Sequence, residues 1–331
     1  MLRDLECDAF IEQKNDFDLL IDARSPKEFL HSHIPGAKNY YALSNAEHEE
    51  VGTLYMQVSR NDAKALGAQY ICMNAARHIE AIYKIHKIGA SIGIYCAKGG
   101  LRSSSLALIL SSMGYRVFKL YSGYKSYRNF VLNYLENLPH QHFIVLGGNT
   151  GCGKTELLAH LTPSIDLEAL AAHMGSSFGS VKGAQPSQKM FENTLTDILN
   201  SIDPNNSIYI EGESKRMGTL TVPSTLHVKM QEGKRIEITA PLEKRVMQIL
   251  KDYEHISPAF FYNAMEKITP YIKKLAKEEA IEAFECNDLK RVSTILLLEY
   301  YDKVYRKPEK IDAVIDNSSM ELALKSLIAL A

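Results

Sequence analysis

Phe143-Ile144-Val145-Leu146-Gly147-Gly148-Asn149-Thr150-Gly151-Cys152-Gly153-Lys154-Thr155 decides the fold of the second half of the chain. Four consecutive apolar residues read as a strand buried on both faces, and helical spacing resumes over residues 156–161. Between them, the glycines satisfy G-x-x-x-x-G-K-[ST] in the strand-loop-helix context that this spacing needs to wrap a phosphate. Gly148, Asn149, Thr150, Gly151, Cys152 and Gly153 supply the wrapping backbone, Lys154 reaches the terminal oxygens, and the Thr155 hydroxyl can hold Mg²⁺. Glu211, which follows the apolar run Ser207-Ile208-Tyr209-Ile210, stands where a second acidic group could hold that metal through water. Such a loop accepts any diphosphate, so the pattern alone does not identify an ATPase.

Working outward, Arg235-Ile236-Glu237-Ile238 and Ala313-Val314-Ile315 read as further core strands, with helices between. A helical insertion or lid is expected near residues 255–306, since residues 271–306 are charged and lack Gly and Pro. Before the loop, Leu19-Leu20-Ile21-Asp22, Ile92-Gly93-Ile94-Tyr95 and Arg116-Val117-Phe118-Lys119-Leu120 read as strands, with helical spacing over residues 104–113 and 124–135. Strands alternating with helices imply parallel α/β sheets in both halves. At roughly 150 residues per domain, 331 residues predict two domains, 1–138 and 139–331.

Composition is that of an ordinary globular chain, 46% hydrophobic and 23% charged, which excludes disorder and coiled coil as the main architecture. With a net charge of −1, any nucleic acid must be held by a local basic patch. The five cysteines are scattered without a C-x-x-C pair, so neither zinc nor a disulfide scaffold is expected, nor is haem or flavin. No apolar run approaches the ~18 residues of a membrane span, and the acidic start does not read as a signal peptide. A cytoplasmic location without membrane association is expected.

Cys96-Ala97-Lys98-Gly99-Gly100-Leu101-Arg102-Ser103 lies between a strand and a helix, where backbone N–H groups can converge on one centre. That geometry makes Cys96 a candidate nucleophile or chalcogen carrier in an anion cradle of Lys98, Gly99, Gly100 and Arg102, whose charges should favour the thiolate. Residues 97–135 contain Lys98, Arg102, Arg116, Lys119, Lys125 and Arg128 but no acid, with Tyr115, Tyr121, Tyr124, Tyr127 and Tyr134 interleaved. Basic groups beside aromatic faces suggest a single-stranded RNA surface, with Arg116, Lys119, Lys125 and Arg128 as its contacts. A second loop site is expected from His173, Ser176, Ser177 and Phe178 together with Glu211, Glu213, Ser214 and Arg216.

Asp22-Ala23-Arg24-Ser25-Pro26-Lys27-Glu28-Phe29, followed by His33-Ile34-Pro35-Gly36-Ala37-Lys38-Asn39, resembles the rhodanese signature, and Cys96 lies where that family keeps its sulfur-carrying cysteine. The five residues between Cys96 and Arg102 exceed the four of common single-domain rhodaneses and equal the spacing of cysteine phosphatases. A rhodanese-like domain followed by a P-loop NTPase or kinase-like domain resembles the tRNA 2-selenouridine synthases, in which the longer Cys loop also occurs. Val51-Gly52-Thr53-Leu54-Tyr55, Ala65-Leu66-Gly67, Gly123-Tyr124-Lys125, Glu299-Tyr300-Tyr301-Asp302 and Tyr305 extend that resemblance along nearly the whole chain. Met174 departs from it, because members usually carry Arg after the histidine. If that Arg grips a phosphate, another residue such as Lys182 must replace it.

The resemblance implies a transferase that acts on wobble 2-thiouridine of tRNAs for Lys, Glu and Gln. Geranyl diphosphate would alkylate the sulfur, and selenium from selenophosphate would then displace geranylthiol. Phe178, Met174, Phe260, Phe261, Tyr262 and Met265 are candidates to line an apolar trough for the geranyl chain. Two alternatives remain open on the residues alone: a P-loop kinase with a regulatory rhodanese domain, to which Ile315-Asp316-Asn317-Ser318 would suit, and a Cys-x5-Arg phosphatase.

Overall fold

Every residue of Ser91–Tyr95 is buried, as is every residue of Leu19–Asp22, so these two strands lie inside a sheet covered on both faces. The computed structural model describes residues 1–173, 184–253, 256–305 and 308–330. Two units emerge, Met1–Leu135 with Ser187–Asp197, and Glu136–Pro186 with Ile198–Ala331. Both are α/β.

In the first unit, strands β1 (Leu2–Leu5), β2 (Leu19–Asp22), β3 (Lys38–Asn39), β4 (Ser91–Tyr95) and β5 (Arg116–Leu120) form a sheet in the order β1-β5-β4-β2-β3. All its pairs are parallel, and Leu19–Asp22 lie opposite Ile92–Tyr95 residue for residue. Parallel neighbours require crossovers, here the helix Leu101–Ser112 and the helical pair Asn45–Gln57 and Arg60–Ile85. That pair begins on hydroxyl caps: Ser44 accepts from the Glu47 N–H and Ser59 from the Asp62 N–H.

At the carboxyl end of β2 the sheet holds a buried ion pair. The Arg24 guanidinium donates to both Asp22 oxygens at 2.6–3.0 Å and to the Ser32 carbonyl at 2.6 Å, and lies over the Tyr124 ring at 3.8 Å. Asn39 Nδ2 donates to the carbonyls of Asp22 and Arg24, which ties β3 to the same corner. Ser187–Asp197 joins this unit through polar contacts, with Asn193 bonded to the His33 carbonyl and the Tyr124 hydroxyl.

In the second unit, β6 (Phe143–Gly147), β7 (Ser164–Ile165), β8 (Ile208–Glu211), β11 (Lys234–Thr239) and β12 (Ala313–Asp316) form a parallel sheet in the order β12-β11-β6-β8-β7, while β9 (Arg216–Met217) and β10 (Leu220–Thr221) make a separate antiparallel hairpin. Strand β6 is central, with β8 on one side and β11 on the other, so the chain leaves it in two directions. That is the topological switch point at which open parallel sheets leave a crevice beyond their carboxyl ends. The helices Pro258–Ile268, Lys274–Glu285 and Leu289–Leu296 precede β12 and share one core cluster with Val246 and Ile249 of the helix Leu242–Tyr253 and with Leu297.

Removing the Arg24 charge leaves Asp22 buried without its partner, a change that typically costs about 3–5 kcal/mol. Arg24→Leu should therefore lower the urea midpoint of the first unit, read from its tyrosine fluorescence. An unchanged midpoint would show that the pair contributes little to that unit.

Candidate functional site

The Cys96 loop is built backwards from its neighbours. Gly123 opens the helix Gly123–Glu136 with φ +61°, and a Cβ there would lie 2.2 Å from the Cys96 carbonyl oxygen and 2.5 Å from the Gly99 nitrogen. Only glycine lets the helix approach so closely. Its free N–H groups are used at once: Tyr124 donates to the Cys96 carbonyl at 2.7 Å and Lys125 to the Ala97 carbonyl at 3.1 Å.

The thiol itself is buried, 2% exposed. Ser103 Oγ donates to Cys96 Sγ at 3.1 Å, and the thiol faces the Gly100 carbonyl at 3.7 Å. Arg102, expected to lend charge to Cys96, instead donates to Glu28 Oε2 at 2.6 Å. Glu28 also accepts the Ser25 N–H at 3.1 Å in the capping box of the helix Pro26–His31. The two rhodanese-like motifs therefore meet through this pair, and a guanidinium already matched to a carboxylate is a weaker phosphate ligand. Lys98 stays exposed on the loop.

At the phosphate loop, Gly148 holds φ +139°, and a Cβ would lie 2.3 Å from the Ile238 carbonyl oxygen. Lys154 Nζ donates back to the Gly148 carbonyl at 2.9 Å. Residues far along the chain fix the rest. Arg245 Nε donates to the Thr150 carbonyl at 2.9 Å, and its Nη atoms hold Asp302, which accepts from Asn149 Nδ2 at 2.8 Å. Tyr305 Oη accepts the Gly148 N–H at 2.8 Å and donates to Glu237 at 3.0 Å. Asn317 Nδ2 donates to the Cys152 carbonyl at 2.9 Å. Cys152 is buried in the loop, and burial pushes its thiol up, which keeps it protonated. Thr155 lies exposed on the first turn of the short helix that follows.

Beside Lys154 the sheet gathers acids. Oxygens of Glu168, Glu211 and Glu213 all lie within 4.8 Å of one another. Burial opposes the Lys154 charge, but Cys152 and the carboxyls of Glu211, Glu213 and Glu168 outweigh it and hold the ammonium above the ordinary lysine range. Burial also pushes Glu168 up to about 9 and Glu211 up to about 8, reinforced by their mutual repulsion with Glu213, which rises too. Of the three only Glu211 is fully buried, and like charge beside it adds to what burial does. The Glu211 carboxyl accepts the Glu168 N–H, yet its Oε2 is buried with no partner. An oxygen-only donor set with an orphaned oxygen fits a hard divalent cation such as Mg²⁺.

The expected second loop site divides. Glu211 and Glu213 face Glu168, whereas Ser214 Oγ donates to the Arg216 carbonyl and Arg216 Nε to the Gly218 carbonyl, both turned to the β9–β10 hairpin. His173 is half-buried, and burial together with Lys267 depresses its imidazole. Met174, Ser176, Ser177, Phe178 and Lys182 lie outside the described residues. Sequence reading missed Glu168, Arg245 and Glu237, whose partners Glu211, Thr150 and Tyr305 lie far from them in sequence.

The expected RNA surface loses most of its parts to structure. Tyr115, Tyr124 and Tyr127 are buried and cannot stack on bases. Arg128 is bonded to Glu192 and Asn193, Lys119 to Asp4 and Ser104, and Arg116 to the Gly89 carbonyl. Lys98, Arg116, Lys125 and Tyr121 remain exposed. The apolar trough is corrected too: Phe261 and Met265 are fully buried core, Phe261 stacked on Phe284 with centroids 3.9 Å apart, and Tyr262 bonds to Glu285 at the surface. Next to Phe261, the gap lined by Ile249, Leu296 and Tyr301 measures about 20 Å³, about the space of one water and far short of a ten-carbon chain.

A family model described as the tRNA 2-selenouridine synthase AAA domain matches residues 141–281, and one for the rhodanese-like domain matches residues 6–130. The tRNA 2-selenouridine synthases of Psychromonas ingrahamii and Pseudomonas syringae pv. syringae are 34% and 37% identical over 71% of this chain, which spans 64% and 65% of their lengths. That of Hydrogenovibrio crunogenus is 30% identical over 96% of this chain and 99% of its own. With both sites carried on matched domains and a relative aligned from end to end, the chain belongs to the tRNA 2-selenouridine synthase family.

Proposed function

We propose that this chain converts wobble 2-thiouridine of tRNA to 2-selenouridine, using its phosphate loop for geranyl diphosphate and Cys96 for selenium from selenophosphate. One observation carries the reading: a chain of this family holds a thiol loop and a phosphate loop, each at the carboxyl edge of its own parallel sheet. A thiocarbonyl sulfur leaves poorly until alkylated. In the first step the sulfur attacks C1 of geranyl diphosphate and pyrophosphate departs, and Lys154 stands where it can neutralise that leaving charge. Mg²⁺ held by the Thr155 hydroxyl and Glu211 would add to the same stabilisation when bound. In the second step geranylthiol leaves C2, and selenide released from selenophosphate, whose phosphoryl group passes to water, takes its place with no change of oxidation state.

Cys96 has the neighbours of a nucleophile. The Ser103 hydroxyl donates to its Sγ and would stabilise a thiolate that adds to C2, expels geranylthiol and is itself displaced by the selenide. A reducing cytosol suits five free cysteines. Among the described residues, no helix is long and apolar enough to cross a membrane.

Mass spectrometry of tRNA nucleosides tests the two steps separately. Cys96→Ser should abolish 2-selenouridine while S-geranyl-2-thiouridine still forms. Lys154→Ala should abolish geranylation yet leave selenation of pre-geranylated tRNA intact. Full selenation by Cys96→Ser, or ADP binding far tighter than geranyl diphosphate together with normal geranylation by Lys154→Ala, would overturn the reading in favour of a kinase.

The exposed lysines give a separate test of where tRNA lies. Lys125 follows the Cys96 loop closely, since its N–H bonds to the Ala97 carbonyl next to Lys98. Replacing Lys98 and Lys125 by Ala should weaken tRNA binding and reduce the log–log salt slope by about 0.7–0.9 per lost phosphate contact. An unchanged slope in filter-binding titrations would move the tRNA away from this face.

A further inference from the structure

A diphosphate entering the phosphate loop would meet an electrostatic obstacle. Three carboxyls, Glu168, Glu211 and Glu213, share the surroundings of the one ammonium, Lys154, that should receive the anion. An ionised trio would repel a diphosphate more strongly than a single lysine attracts it. Protonation would remove that charge, and a divalent cation would offset it while using the carboxylates as ligands.

The carboxyls are not held as a purely structural group would be. Glu168 and Glu213 hydrogen-bond to each other, and Ser214 N–H donates to Glu213. Glu211 stands at the carboxyl end of the buried strand β8, 1% exposed, with the Glu168 N–H on its carboxyl and nothing on Oε2. A buried carboxylate oxygen without a partner is costly, and the Glu211 carboxylate that carries it is one of three with oxygens within 4.8 Å of one another. Opposite ligands of Mg²⁺ lie about 4.2 Å apart, twice a bond of about 2.1 Å. Carboxylate oxygens that all lie within 4.8 Å of one another can therefore share one such ion, directly or through its waters.

We propose that Glu168, Glu211 and Glu213 together form a divalent-cation site of the Mg²⁺ class beside the phosphate loop. Hard oxygen donors select Mg²⁺ or Mn²⁺ over softer metals. A divalent ion leaves the trio and Lys154 neutral as a group, so a diphosphate entering the loop meets a cation instead of an acidic wall. Cation and diphosphate then bind with mutual reinforcement. The placement differs from a site made by Thr155 and Glu211 alone, because Glu168 and Glu213 become ligands in their own right. This rests on the diphosphate reading only for what the cation admits, since the cation site itself stands on the carboxyl geometry.

Electron paramagnetic resonance of the full chain titrated with Mn²⁺ alone is the primary test, with calorimetry of inorganic pyrophosphate as the second arm. One Mn²⁺ per chain should bind without pyrophosphate, and Glu168→Gln and Glu213→Gln should each weaken it by about 10-fold or more. Pyrophosphate should bind the wild type only when Mg²⁺ is present, whereas the double variant should bind it weakly but without that requirement. Gln keeps the side-chain shape, and thermal unfolding checks each variant; if the double variant is not folded, Glu213→Gln alone decides. Mn²⁺ binding that is absent in the wild type, or equal in wild type and variants, overturns the proposal. Mn²⁺ held through these carboxyls with no pyrophosphate bound in its presence upholds the cation site and sinks the diphosphate reading instead.

Discussion

Parallel strands must all end on the same edge, and this constraint governs both units. In the first, the carboxyl ends of β2, β4 and β5 deliver Asp22, Cys96 and the Ser122-Gly123 turn to one edge. In the second, β6, β7, β8, β11 and β12 deliver the phosphate loop, the Glu168 turn, Glu211, the start of the Arg245 helix and Asn317. Residues separated by more than a hundred positions become neighbours because hydrogen-bonded registry leaves their loops no other place. Chemistry in this chain is thus a property of sheet edges more than of any contiguous motif.

Converging loops still have to be held in one conformation, and the two units solve this differently. The Cys96 loop is clamped by backbone: helix N–H groups hold its carbonyls, and Gly123 permits the approach. Around the phosphate loop the holders are side chains, with Arg245 and Asp302 on Asn149 and Thr150, Tyr305 on Gly148, and Asn317 on Cys152. A backbone clamp preserves shape whatever occupies the loop. Side-chain holders can rearrange, which the proposed entry and release of an anion would require.

This difference explains how much could be read without coordinates. The central strands were legible because continuous apolar runs leave few alternatives to a buried parallel strand, and the phosphate loop because its glycine spacing is a local backbone requirement. The two-residue strands β3 and β7 were not, since pairing with a neighbour defines them and they carry no pattern of their own. Basic and aromatic residues over 97–135 read as an RNA surface because composition does not reveal direction. Tyr115 and Tyr127 point into the core, and Arg102 and Arg128 are matched by Glu28 and Glu192, acids that lie 74 and 64 residues away in sequence. Glu168 escaped notice for the same reason, as nothing near it in sequence hints at Glu211 and Glu213.

The two buried charge clusters make the point in energetic terms. Asp22 and Arg24 balance each other in charge, and both Asp22 oxygens accept from the guanidinium, which also holds the Ser32 carbonyl. Lys154 and its three carboxyls are unbalanced, with an orphaned oxygen in a buried position. A fold tolerates the first arrangement for stability or specificity alone, since removing either partner is what costs. The second costs free energy as it stands, and such a cost persists only where the surrounding structure enforces it and a ligand relieves it. Imbalance, more than burial, separates the site that binds from the one that merely holds the sheet.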